Sequence, residues 1–289
     1  TVEESFARIR KVGLDKETVY TCYVTANRKL QGVVTVKRLL MSAYDTKIND
    51  IMETNVLSVT THEDKEEVAQ MFSKYDLTAL PVVDSESRLL GIITVDDAMD
   101  VMEEEATEDF EKMAAILPSD KPYLRTGVLE TWKSRIPWLM LLMLSATFTG
   151  LIITGFESAL AACVILTSFI PMLSGTGGNS GSQSSVAVIR ALSLGEVEFS
   201  DVLAVVWKEV RVALLCGVCL GGANFVKMLL VDRMLMQNPD VTVAVAGVVC
   251  LTLMLTVVCA KIVGCLLPMA AEKVGIDPAV MAAPFITTI

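Results

Sequence analysis

A chain of 289 residues has room for one to three domains. Its formal charge is −10. Such an acidic balance argues against nucleic acid, whose phosphates attract lysine and arginine, and suits cations instead. The average hides a division. Residues 1–135 hold 25 acidic and 17 basic side chains, a net of −8, whereas residues 136–289 hold 9 and 7, a net of −2, and are mostly apolar. The first part reads as a soluble acidic domain and the second as a membrane domain.

In chain order, "TVEESFARIRKVG" is charged throughout and is no signal peptide. The first residue is not Met, so residues 1–12 are expected to be the remnant of an N-terminal domain or linker. Residues 13–95 contain a repeat. "YVTANRKLQGVVTVKRLL" (23–40) aligns without a gap on "VVDSESRLLGIITVDDAM" (82–99), with identical pairs Val24/Val83, Leu30/Leu89, Gly32/Gly91, Thr35/Thr94 and Val36/Val95. Each unit reads as strand, polar turn, strand, helix. Between them Thr61 and Asp64 have capping-box spacing, and Val68, Met71, Phe72 and Tyr75 fall on one helical face.

This β-β-α pattern, with "LTALPVVD" entering the second strand, resembles a tandem CBS domain, an α/β fold. The second copy reads as whole, and the first is expected either to lack an opening helix and strand or to have them in N-terminal material before residue 1. The family's nucleotide cue is Gly-x-x-Thr-x-x-Asp, and Gly91, Thr94 and Asp97 fit it, which implies ATP at the CBS pair; in the first copy the Asp position is Arg38. The alternative is structural: Gly91 permits a tight strand and Thr94 caps the next helix.

"DDAMDVMEEEATEDFE" (96–111) has nine carboxylates in sixteen residues and no base. Asp97, Asp100, Glu104, Glu108 and Glu111 share one helical side, where like charges repel by a few tenths of a kcal/mol per pair, roughly. A divalent cation would relieve that, and Mg²⁺ favours carboxylates plus its own waters; a solvated charged face is the alternative. Prolines at 118 and 122 end this connecting segment, 96–122.

Residues 123–289 read as a helical polytopic membrane domain, with spans at about 136–156, 158–190, 202–231 and 241–271. A last apolar segment, 278–289, is too short to span and reads as a truncated fifth helix. Placing Lys133 and Arg135 in the cytoplasm puts six basic residues on that side and two on the other, which sets the soluble domain in the cytoplasm. Of seven cysteines, six lie in the apolar half and read as small packing residues; with one histidine in the chain there is no Cys/His metal set. The "KEVR" run at 208–211, Lys227 and Lys261 read as side chains snorkelling from helix ends. No constellation supports an enzyme: Ser180 and Ser182 lack a base.

The second span holds "FIPMLSGTGGNSGSQSSVAVIR". Pro171 is expected to loosen the helix. Gly175, Gly177, Gly178 and Gly181 allow close helix contact or open carbonyls. Packing does not need Asn179, Gln183 and five hydroxyls as well, and polar groups are costly in lipid unless they face protein or water. The stretch therefore reads as the neutral polar wall of a cation path.

"PMLSGTGGNSGSQSS", followed by "VIRALSLGEV", closely resembles the signature of the MgtE family of magnesium channels and transporters, as does the order of CBS pair, acidic helix and membrane helices. The resemblance implies a homodimeric, Mg²⁺-selective channel in the plasma (inner) membrane, with five membrane helices per subunit. It implies a pore lined by Pro171, Gly175, Gly178, Asn179, Gly181 and Gln183, and a plug helix whose bound Mg²⁺ closes the pore. By position, the implied Mg²⁺ ligands are Glu66, Asp76, Asp97, Asp100, Glu105, Glu108, Asp109 and Asp277. Glu157 also matches a family position. The family's pore Asp would follow "PFITTI", beyond Ile289. The other readings are a secondary transporter for Mn²⁺ or Co²⁺ and a CBS-based membrane sensor without transport.

Overall fold

The computed structural model describes residues 1–16, 18–119 and 121–280. The chain divides into two units, Thr1–Ala106 and Thr107–Ile289.

The first unit opens on α1 (Val2–Val12), where Thr1 and Glu4 form a capping box and acids begin and bases end the helix, in keeping with its dipole. The stretch expected to be the remnant of an N-terminal domain or linker is helical here. Its Val2, Phe6 and Ile9 pack with Val34 and Leu39 of the first repeat. That repeat is the antiparallel hairpin β1 (Thr21–Ala26) and β2 (Lys29–Thr35), followed by α2 (Val36–Leu40) and the single turn α3 (Ile48–Ile51). The second comprises β3 (Val59–Thr60), α4 (Lys65–Tyr75), β4 (Ala79–Val83) and β5 (Leu89–Thr94), leading directly into α5 (Val95–Met113). Its sheet runs β3-β4-β5, the first pair parallel and the second antiparallel. Val59, Val68, Ala69, Phe72, Leu80 and Ala98 form its core.

Three local expectations change. Asp64, not Thr61, caps α4, accepting from the Glu66 amide at 2.8 Å. Tyr75 is exposed, because the buried face ends at Phe72 and the chain turns at Asp76, which has a left-handed φ of 51°. The gapless repeat keeps β2 and β5 in step but not their partners: Thr35 faces Thr21, whereas Thr94 faces Ala79 rather than the aligned Leu80. A two-residue turn at Asn27-Arg28 closes the first hairpin and a longer loop the second, so each sets its own register. The hairpins meet edge to edge, with the Leu30 amide donating to Ser87 O and the Leu89 amide to Arg28 O, both at 2.9 Å.

The second unit contains α6 (Val128–Gly155), α7 (Glu157–Ala162), a 3-10 segment (Val164–Phe169), α8 (Ile170–Ser193), α9 (Val202–Lys227) with a π-helical extension (Met228–Leu235), and α10 (Val243–Val274). Among the described residues three helices are long and apolar enough to cross a membrane: Val128–Gly155, Phe199–Leu235 and Val243–Val274. The span expected at 158–190 is made of three pieces. Its polar helix, α8, begins with Pro171 in the first turn, where a missing N–H costs nothing, so the proline starts the helix instead of loosening it. α8 then runs unbroken through all its glycines. α10 is the hub: it packs on both α8 and α9. The last segment, 278–289, lies mostly at 281–289, outside the described residues.

Candidate functional site

α8 has two faces. Gly177, Ser180, Gly181, Ser184, Ser185 and Val188 are buried, at the i, i+3, i+4 spacing of one helical side. They pack on α10, and the contact is backbone-close: a Cβ added at Gly264 would lie 2.4 Å from the Gly181 carbonyl oxygen, and one at Gly177 would lie 2.7 Å from Thr256 Cγ2. Gly177 meets Thr256, Ser184 meets Lys261, and Val188 packs with Cys265 and Met269, so α8 and α10 run parallel. Of the expected wall residues, Gly181 therefore lies in this packed seam. Pro171, Gly175, Asn179 and Gln183, each four residues on, line the exposed opposite side, and Gly178 is half-buried between the two. A Cβ at Gly175 would meet nothing within 4 Å.

The packed face holds a cluster that the sequence reading had dispersed to helix ends. Lys261 is mid-helix in α10 and 4% exposed. Its ammonium donates to Ser184 Oγ at 3.0 Å and approaches Glu209 Oε2 of α9 at 3.4 Å, while the Ser184 hydroxyl donates to the same Glu209 oxygen at 2.5 Å. Three helices thus share one charge-balanced knot. Snorkelling is excluded by burial: the Lys261 and Glu209 side chains are 5% and 13% exposed. Nothing short-range marks this pair, since 52 residues separate the two charges. The usable signal is a lysine at the centre of an apolar run. Next to it, the wholly buried Ser185 hydroxyl has no hydrogen-bond partner among the described residues.

The expected acidic ligands do not form one cluster. In the first unit, Glu66 accepts from Gln70 Nε2 at 3.3 Å, Asp76 and Asp100 are exposed, and Asp97 Oδ2 accepts from the Thr94 amide (3.3 Å) and hydroxyl (2.8 Å). Lys65 holds Glu105 at 2.9 Å and Glu104 at 3.7 Å. In the second unit, half-buried Asp109 lies near Glu108, whose carboxylate is 2.7 Å from the Lys112 ammonium. That ammonium is also 2.5 Å from Asp277 Oδ2, and Asp277 Oδ1 accepts from the Ala279 amide at 2.8 Å. Burial pulls the Lys112 pKa down, but the hydrogen bonds to Asp277 and Glu108 outweigh it and raise the amine above its ordinary value. Among the described residues no three His, Cys, Asp or Glu converge as a metal set. Lys112 holds together two carboxylates that lie 169 positions apart in the numbering, from 108 to 277. Glu157 opens α7 and, with Thr154 and Thr167, lines a cavity of about 430 Å³.

A separate cavity of about 350 Å³ in the first unit has an apolar floor that includes Val59, Val82 and Ile93, and a polar rim of Thr60, Thr61, Glu63, Lys65 and Asp97. The two repeat glycines differ. A Cβ at Gly32 would lie 2.8 Å from Glu53 O and from Met52 Sδ, whereas one at Gly91 would meet nothing. Gly32 is required by close packing and Gly91 faces open space.

A family model described as a divalent cation transporter, MgtE, matches residues 170–289, the stretch that begins with α8. A CBS domain model matches residues 48–104. Over the whole chain, the sequence is 39% identical to a magnesium transporter MgtE of Thermus thermophilus and 34% identical to one of Bacillus subtilis. The chain thus carries an MgtE domain over residues 170–289, preceded by a CBS domain. It spans 62% of the length of each of these MgtE relatives. Among solved structures, the cytosolic domain of the Mg²⁺ channel MgtE in complex with ATP is 44% identical over 35% of this chain and 41% of that one, with a TM-score of 0.34. In this chain, an α/β CBS fold is joined to a mostly helical region with apolar helices.

Proposed function

We propose that the complete protein moves Mg²⁺ across the membrane along the open side of α8. The observation that carries this reading is the two-sidedness of that helix. Its buried glycines and serines pack on α10, and its outward side carries Gly175, Asn179 and Gln183, whose oxygens and amides are neutral, in an otherwise apolar domain. Such groups bind a hydrated divalent ion through its water shell, which Mg²⁺ gives up reluctantly. The relatives named as magnesium transporters support the choice of ion.

In this reading the protein is a homodimer in the plasma membrane with the CBS domain in the cytoplasm, and cytosolic Mg²⁺ closes the path. The end of α5 supports the regulatory part. Glu108 and Asp277 already share one cation, the Lys112 ammonium, and Mg²⁺ at that place would bind the same oxygens with twice the charge. The cavity rimmed by Lys65, Thr61 and Asp97 supports ATP as a second ligand, with an apolar floor for a base and a cation for a phosphate.

The test is Mg²⁺ flux into liposomes carrying the complete protein, at low and high Mg²⁺ on the CBS side. Flux that falls as that Mg²⁺ rises supports path and regulation together. Flux indifferent to it removes the regulatory role of Glu108, Asp109 and Asp277. Absence of flux in both conditions removes the transport reading and leaves a membrane sensor.

A further inference from the structure

We propose that Lys261, Glu209 and Ser184 are positioning residues that fix the rotation of α8 about its axis, and thereby which of its side chains face the ion. The inference rests on the transport reading above. The α8–α10 seam is closest at Gly177, Gly181 and Gly264, which bring the backbones together without side chains of their own, and Val188 adds apolar, non-directional contact with Cys265 and Met269. Its packed face carries two adjacent hydroxyls, Ser184 and Ser185, about 100° apart around the helix. Both are buried, yet of the two only Ser184 is engaged among the described residues: it accepts from Lys261 and donates to Glu209. A turn of α8 by one position would offer Ser185 to the same pair and move Asn179 and Gln183 off the open line. The directional Lys261–Glu209 pair removes that ambiguity.

Stability alone does not call for charges here, because a buried ion pair is often replaced by apolar residues without loss. A lysine and a glutamate inside a membrane domain are retained at a desolvation cost, and a role in orientation accounts for them. Ser184 directly follows Gln183, and α8 is one unbroken helix, so what holds Ser184 also holds the stripe.

The experiment uses the complete protein with Asn179→Cys as a reporter, reacted with a membrane-impermeant thiol reagent and read at position 179 by mass spectrometry. The same reporter is placed in Ser184→Ala and in Lys261→Met/Glu209→Leu. Mg²⁺ and Ca²⁺ fluxes are measured in parallel without the reporter. Labelling in both variants is expected to slow, and the Mg²⁺/Ca²⁺ flux ratio to fall, by about tenfold, the scale of one hydrogen bond. Equal labelling in all three proteins overturns the proposal, whatever the fluxes. Slower labelling with an unchanged flux ratio overturns its link to discrimination. Absence of flux in the unmutated protein sinks the transport reading instead, and labelling then decides positioning alone.

Discussion

Lys112 and Lys261 each hold a carboxylate partner from a distant part of the chain, but in different surroundings. Lys112 is partly exposed and shared between Glu108 and Asp277, which are themselves more than a third exposed. Lys261 is sealed between α8, α9 and α10, with one carboxylate and one hydroxyl. In water the Lys112 contacts are worth at most about 1 kcal/mol each and yield to a competing ion. In the dry seam the same chemistry cannot be exchanged piecemeal, because removing one partner strands the other charge. The difference teaches that one lysine suits a replaceable contact and the other a fixed one.

The largest effect should come from breaking the dry pair on one side. Lys261→Met leaves Glu209 buried without its counter-ion and should destabilise the membrane domain by about 3–5 kcal/mol, whereas Lys261→Met/Glu209→Leu should be near neutral. Thermal melting in detergent micelles reads both; equal losses would mean that the pair is not charge-coupled. Gly264→Ala should come next. Its Cβ would press on the Gly181 carbonyl oxygen at 2.4 Å, separating the helices at a cost of about 1–3 kcal/mol. Gly175→Ala, on the open side, should stay within about 0.5 kcal/mol.

On the wet side, Lys112→Met should free Glu108 and Asp277 and raise Mg²⁺ affinity by roughly two- to fivefold, the range of exposed ion pairs. Titration calorimetry checks this, and an unchanged affinity would separate Lys112 from Mg²⁺ binding. Because the Lys112 pKa is raised in the fold, its contribution is fully present below the ordinary lysine value and is lost only as pH climbs through the folded one. The bridge therefore persists at neutral pH. The smallest effect concerns a surface loop with no buried charge. The Arg88 and Glu86 amides donate to Asp84 Oδ1, and the Arg88 hydrogen bond holds that carboxyl below its ordinary range. A depressed carboxylate stabilises above its unfolded value and loses that contribution as pH falls through the folded one. The protection factor of the Arg88 amide, the intrinsic exchange rate divided out, should fall on acidification in that window, and in Asp84→Asn it should lose that dependence.

What the sequence made legible follows the range of the interactions. The repeat and the apolar helices announce themselves through periods of a few residues, and the CBS and MgtE resemblances ride on contiguous motifs. The two-sidedness of α8 was half visible: the glycines and polar residues were evident, but Gly181 could not be told from Gly178 without knowing where α10 lies. The β1 and β4 registers escaped because each is set by its own loop. Lys261 escaped because Glu209 meets it only after three helices have assembled. The cap at Asp64 was misread as Thr61 because both residues suit the role and only the backbone decides.

The uneven polarity of the membrane helices carries a consequence for biosynthesis. α6 is apolar, has none of its residues buried within the chain, and is one of the helices fit to enter lipid by composition. It can leave the translocon unaided. α8 is not among those helices, and what shields its glycines and serines is α10, which the ribosome completes only about 80 residues later by the numbering of the two elements. Until then α8 has α9 to lean on, through the Ser184–Glu209 contact, but not the helix that covers its glycines. It must wait at the protein–lipid boundary for the hub to arrive, so α10, the last of these helices to be made, decides whether the polar one stays.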